Sequence, residues 1–367
     1  MKKLILFACI EKNIGDDIFI YLIASRYKQY EFVISDEARY GSLQYLSNLR
    51  FSKLLAKWIR LSNSCFRNPI KEIIRKIILF FLQKRIGKAD AAIYIVGNAF
   101  KNEKYKGKID SRWIKERISL AKNFYLLSTN FGPFSDSKWV DDMEQIFGMM
   151  NDVCFRDIAS FEYFKHLPNI RHRPDAVLSL GYQAHKKNEF VIISVIDCFF
   201  KGRSSKIQSF GKSYENKIID IVDELTKKGK KVILLNSNTK QDSPASQRIE
   251  CSVKNRDNVQ IYDYEGNIDS IIQLYSNAEF VIGTRLHTIV LAWLFNIPVI
   301  PLIYDIKVEE MLNVCHFSGA SYNLSTINML NVKQISSIIE TFDFKLDEKI
   351  INDAQKQFEK LDMYLNS

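Results

Sequence analysis

Apolar runs of five to nine residues recur along the chain, and most are followed by stretches with helical spacing. In the first half they read KKLILFACI (2–10), EFVIS (31–35), AAIYIVG (91–97), NFYLLST (123–129) and DVCFRD (152–157). After the polar stretch GYQAHKKNE (181–189) the pattern restarts with EFVIISVID (189–197), KKVILLNS (230–237), NVQIYDY (258–264), AEFVIGT (278–284) and IPVIPLI (297–303). Strands apolar on both faces and separated by helices imply parallel sheets covered on both sides. The pattern predicts an α/β chain of two Rossmann-like domains facing each other across a cleft. Their expected limits are 1–183 and 184–340, with 341–367 forming a C-terminal helix at the domain junction.

Open parallel sheets present ligands at the carboxyl ends of their strands, so the turns after each run are where chemistry is expected. In CIEKNIGDDIFIYLI (9–23), Asn13, Gly15, Asp16 and Asp17 follow the first strand. Gly15 can take a positive φ, and Asn13 or Asp16 can cap the next helix. The same four residues also bring a carboxylate and an amide to the strand end. In VCFRDIASFEYF (153–164), Arg156 ends an apolar strand ahead of Asp157. One reading has Asp157 capping a helix with Arg156 bridging to it; the other points Arg156 into the cleft.

The sharpest signal is EFVIGTRLHTIVLAWLFNIPVI (279–300). With Gly283 or Thr284 opening the helix, Arg285, Leu286 and His287 occupy its first turn. A helix N-terminus attracts anions, and a guanidinium adds a planar bidentate donor for phosphate or carboxylate. An imidazole, with its pKa near about 6.5, moves protons around neutrality. After the next strand, PLIYDIKVEEML places Tyr304, Asp305 and Lys307 at the same edge. His166, His172, His185 and His316 lie in polar, non-periodic surroundings and read as structural or surface residues, none of them paired at metal-ligand spacing.

Composition changes this picture in two places. The chain has 367 residues, 47% of them hydrophobic, enough for two cores. Its net charge of +10 is largely local: eleven Lys and Arg between Arg50 and Lys88 face one acid, Glu72. Within this basic segment Leu54, Leu55, Trp58 and Ile59, then Ile73, Ile74, Ile77 and Ile78, recur at helical spacing. Two readings stand side by side: helices packed on the sheet with solvated outer faces, or a basic amphipathic surface for anionic lipid. The start of the chain resembles a signal peptide only superficially, because its apolar run is short and meets Glu11 and Lys12 at once. No apolar run approaches the ~20 residues that span a bilayer. The six cysteines lack CxxC or metal spacing and read as reduced, mostly buried thiols of a cytosolic protein. GxGxxG after the first strand and GxxxxGK[ST] anywhere are absent, and no nucleic-acid module is recognisable.

Taken together, NIGDD (13–17), FGPF (131–134), FRDIAS (155–160), PDAVLSL (174–180), NSNTKQD (236–242) and GTRLHTIVLAWLFNIPVIPLIYDIKV (283–308) resemble the polysaccharide pyruvyl transferases. The resemblance implies a GT-B-like fold and transfer of pyruvate from phosphoenolpyruvate onto two sugar hydroxyls as a ketal. By the same carry-over Arg285 and Arg156 match donor-binding arginines and His287 the catalytic histidine. Asp16 or Asp17 is then the candidate base. Leu286, Lys307, Asn13, Gly15, Asn98, Tyr304 and Asp305 are the expected substrate contacts. Phosphoenolpyruvate is expected as co-substrate, with no cofactor or metal. The expected acceptor is a saccharide, free or polyprenyl-linked, met in the cytoplasm or at the inner membrane face. Two departures mark the chain: Gly97-Asn98 where the family has paired glycines, and LLSTNFGPF where it is glycine-rich. A nucleotide-sugar glycosyltransferase is the rival enzyme reading, and a non-catalytic glycan-binding or assembly protein the rival outside catalysis.

Overall fold

The computed structural model describes residues 2–35, 43–63, 69–97, 99–102, 112–185 and 189–367. The strands are β1 (Leu4–Ala8), β2 (Phe32–Ser35), β3 (Leu49–Ser52), β4 (Ala89–Ile95), β5 (Phe100–Asn102), β6 (Ala121–Thr129), β7 (Phe131–Phe134), β8 (Asp152–Phe155) and β9 (Ile170–His172). They continue with β10 (Phe190–Ser194), β11 (Val232–Asn236), β12 (Val259–Asp263), β13 (Ala278–Gly283), β14 (Val299–Ile303) and β15 (Tyr322–Asn323). All ten apolar runs form strands. The strands added by the structure are short: β3 and β9 close the edges of the first sheet, and β15 closes the second. Edge strands have fewer buried positions, so LRFS and IRH carry no long apolar run.

The chain forms two compact units. The first comprises Met1–Ile10, Asp16–Ser179 and Asn352–Ser367. Its seven-stranded parallel sheet runs β3-β2-β1-β4-β6-β8-β9, and β5 pairs with β7 separately. Ile5, Phe7, Ala92, Phe124, Leu126 and Phe155 are central to its apolar core. The second unit comprises Glu11–Gly15 and Leu180–Ile351, with the parallel order β12-β11-β10-β13-β14-β15. Residues 11–15 therefore group with the second unit: Ile14 N–H donates to Ser237 O at 3.0 Å, and Asn13 bridges to Asn238.

Each sheet reverses its winding beside its first strand, between β1 and β4 and between β10 and β13. Such a switch point leaves a crevice at the carboxyl ends of the two flanking strands. In the second unit those ends lead into Val195 and Thr284, which places the Thr284–His287 stretch where open sheets bind ligands.

The basic segment resolves into an edge strand and two helices, Lys53–Asn63 and Pro69–Ile86. The first helix buries Leu55 and Trp58 and exposes Lys53 and Lys57, as a packed helix with a solvated face should. The second departs from that expectation. Of its periodic isoleucines only Ile78 is buried, whereas Ile73, Ile74 and Ile77 are exposed. No helix among the described residues is long and apolar enough to cross a membrane.

Candidate functional site

The second unit builds its site at the end of β13. Thr284 is fully buried, and its hydroxyl lies 3.1 Å from that of Tyr214, which also accepts Ile196 N–H at 3.2 Å. Tyr214 thus fastens the ends of β10 and β13 together. Because Thr284 is held this way, the helix is capped one residue after Thr284 and two after Gly283, the two expected openings. Arg285 is its N-cap, in extended conformation, and Leu286–Leu294 is helical. Leu286 and His287 are the first two helical residues. Thr288 Oγ1 donates back to Arg285 O at 2.6 Å and secures the turn. From Thr288 to Leu294 every residue is buried, so the helix serves as a rigid support with its first turn turned outward.

The Arg285 guanidinium is already partnered. Its Nε donates to Asp242 Oδ2 at 3.2 Å, its Nη2 donates to Asp242 Oδ1, and Nη2 also reaches Gln241 Oε1 at 3.2 Å. Asp242 is fully buried in the first turns of the helix Thr239–Ser252, where Asn238 N–H donates to it at 3.1 Å. The bidentate edge expected for a ligand is therefore occupied, which leaves Nη1 as the edge outside this pair. Burial lowers the Arg285 pKa, but the charge of Asp242 and the proximity of Tyr304 outweigh it and raise the net value. The guanidinium stays charged at any working pH.

His287 meets Gly15. A Cβ built on Gly15 would fall 2.0 Å from His287 Nδ1 and 2.6 Å from Cε1. Gly15 is required here for close approach and not for a positive φ, since it lies inside the helix Ile14–Arg26. Asn13 precedes that helix and accepts Gly15 N–H on its side chain at 3.4 Å. Asp16 and Asp17 lie in its first turn, and Asp17 is fully buried.

Tyr304, Asp305 and Lys307 follow β14. Asp305 caps the helix Ile306–Val314 by accepting Lys307 N–H at 3.1 Å, so its carboxylate has a structural task. Tyr304 joins the site more closely: it contributes to the raised Arg285 pKa, and Arg203 stacks over its ring at 5.3 Å. The Arg203 Nε and Nη2 atoms are buried and meet no acceptor among the described residues.

In the first unit Arg156 follows β8 in a similar setting. Its Nε donates to Asn130 Oδ1 and its Nη1 to Asp175 Oδ2, both at 2.6 Å, with Asp175 fully buried. Asp157 does cap its helix, accepting Ser160 N–H at 2.7 Å, but Arg156 does not bridge to it. Asn130 links the two instead, donating to Asp157 at 2.5 Å. A Cβ on Gly97 would lie 3.0 Å from the Arg156 guanidinium. Asn98 lies outside the described residues. Gln241, Asp242, Asp175 and Arg203 are site residues that sequence reasoning missed. Asp242 and Asp175 sit inside NSNTKQD and PDAVLSL, and those motifs were the available signal.

Among the remaining groups, His166 contacts Glu144, His185 contacts Ala278 O, and burial lowers the His172 pKa. Among the described cysteines Cys154, Cys198 and Cys315 are buried and Cys251 is exposed; burial pushes the Cys154 and Cys198 thiols up to about 12. No group of three or more His, Cys, Asp or Glu among the described residues is placed to hold a metal ion.

A profile described as polysaccharide pyruvyl transferase matches residues 13–306, from the Asn13 turn to the first residue of the helix that follows β14. The chain belongs to the polysaccharide pyruvyl transferase family. No curated protein matches by sequence. Solved structures similar to this family member include a Methanocaldococcus jannaschii UDP-GlcNAc 2-epimerase, with TM-score 0.59 and 10% identity over 100% of both chains. Another is Anabaena HepE in complex with UDP and glucose, with TM-score 0.53 and 12% identity, again over 100% of both. A Streptococcus pneumoniae accessory secretory protein structure matches at TM-score 0.43 and 12% identity, over 80% of this chain and 55% of that one. At these identities the likeness to the epimerase and to HepE shows the fold alone: GT-B-like, with two Rossmann-like units of parallel sheet.

Proposed function

We propose that this pyruvyl transferase takes phosphoenolpyruvate as donor and closes a pyruvate ketal on a sugar of a cell-surface polysaccharide or its lipid-linked precursor. The observation that supports this reading is Arg285 and His287 at the start of the helix after β13, with Arg203 over the ring of Tyr304 after the neighbouring strand β14. Phosphoenolpyruvate carries a phosphate and a carboxylate, and Arg203 Nε and Nη2 together with Arg285 Nη1 offer N–H groups to both. His287 protonates the donor's methylene carbon, leaving an oxocarbenium-like centre at the carbon bearing the phosphate. A sugar hydroxyl adds there and gives its proton to a base, for which Asp16 or Asp17 is the candidate. Phosphate leaves, and the second hydroxyl closes the ketal as it loses its proton. The balance is one donor and one diol giving one ketal and one phosphate. Cationic side chains meet the donor's charge, so the scheme uses no metal. Arg156, Leu286 and Lys307 complete the proposed substrate contacts, in a protein working in the cytoplasm.

The fold is shared with proteins solved with UDP bound, and this favours a nucleotide sugar as the rival donor. Incubation with each donor and a panel of model and lipid-linked glycosides separates the two. Phosphate release matched by a pyruvate-sized mass gain is expected, with one deuterium entering the ketal methyl group in D2O. Release of UDP with a hexose-sized gain would overturn the proposal. The Gly15 contact supplies a further expected result. Gly15→Ala should lower turnover at least about tenfold, because the added carbon displaces the imidazole. Unchanged turnover would remove the requirement for that packing.

A further inference from the structure

The helix Pro69–Ile86 is apolar on two sides. Its inner side carries Ile78 and Leu82 into the first unit's core. On that side Arg75 is also buried, held by Glu72 at 2.6 Å and by Glu116. The outer side presents Ile70 at 66%, Ile73 at 58%, Ile77 at 49%, Phe80 at 60% and Phe81 at 52% exposure. Steps of three and four residues place these side chains along one face of the helix. By the same geometry Lys76 flanks that face and Lys84 extends its line toward the C-terminal end, whereas Lys71 falls on the side of Arg75 and Ile78.

A contiguous exposed apolar stripe of this size marks an interaction surface. Charge identifies the occupant. Eleven cations and one acid lie between Arg50 and Lys88, and that acid, Glu72, is engaged by buried Arg75 at 2.6 Å and more loosely by exposed Lys76 at 3.8 Å. A second copy seated on this face would set its lysines against those of the first. An anionic bilayer instead offers phosphates to the lysines and a headgroup boundary that accepts Ile and Phe side chains. We infer that the outer face of Pro69–Ile86 lies on an anionic lipid surface, with the helix axis in the membrane plane. This surface is separate from the donor chemistry and stands whether or not that chemistry is as proposed.

The test is co-sedimentation of the full chain with vesicles containing phosphatidylglycerol or made of phosphatidylcholine alone. At least about tenfold stronger binding to the anionic vesicles is expected, weakening as salt is raised. Lys76→Gln with Lys84→Gln should weaken that binding about thirtyfold, roughly a factor of five for each lysine. Phe80→Ser with Phe81→Ser should reduce it by a similar amount. Should the aromatic variant fail to fold, the lysine variant, which alters only exposed side chains, still decides the matter. Binding that ignores the anionic lipid or survives both changes overturns the inference. So does a dimer in sedimentation velocity that the Phe80 and Phe81 changes dissociate, which would assign the face to a second copy.

Discussion

Replacing His287 with alanine is expected to lower turnover on phosphoenolpyruvate by about 10²–10⁴-fold while weakening donor binding less than about threefold. The reason lies in how the ring is held. His287 is the second residue of a helix whose body is entirely buried, and its imidazole rests against the bare Cα of Gly15. In the proposed chemistry a ring held against Gly15 delivers a proton to one place, an interaction that strengthens only as the donor carbon is protonated. In the same proposed scheme donor binding rests on the arginines beside it, which the substitution leaves intact. The split is measured by steady-state kinetics together with calorimetric titration of phosphoenolpyruvate. Equal losses in turnover and binding would give His287 a holding role and leave the proton donor to be found elsewhere.

Much of the fold is legible in the sequence because both sheets are buried on both faces, which turns every central strand into an apolar run. The edges are less legible. Arg50 in β3 and Arg171 in β9 interrupt the apolar signal at positions that need only one covered side. The site is legible in part for a different reason. Arg285 and His287 stand out because an apolar strand and an apolar helix have no structural use for them. Their partners do not stand out. Asp242 lies 43 residues before Arg285 and Asp175 lies 19 after Arg156, separations that no local period connects. Sequence therefore shows two arginines as available donors, whereas folding gives each a buried carboxylate. The outer face of Pro69–Ile86 fails by yet another route: periodicity finds a stripe but cannot tell which side is covered when both are apolar.

Asp242→Ala is expected to destabilise the second unit by about 3–5 kcal/mol, a fall of roughly 10 °C in its melting transition. Both carboxylate oxygens are engaged, by Arg285 and by the Asn238 N–H, in a place with no solvent access. Removing the acid leaves a guanidinium that remains charged, with its side chain only 15% exposed. That loss alone would fit a purely structural ion pair. The two roles separate on adding an anion. If Arg285 faces the donor, the variant opens its Nε–Nη2 edge to phosphate, and millimolar phosphate or phosphoenolpyruvate should restore more stability to the variant than it adds to the parent. Asp242→Asn, which keeps the shape and removes the charge, should fall between them in both stability and anion response. A variant that melts early and recovers nothing with phosphate would show that this edge is closed to ligands. The arginine's part in binding the donor would then rest on Nη1 alone.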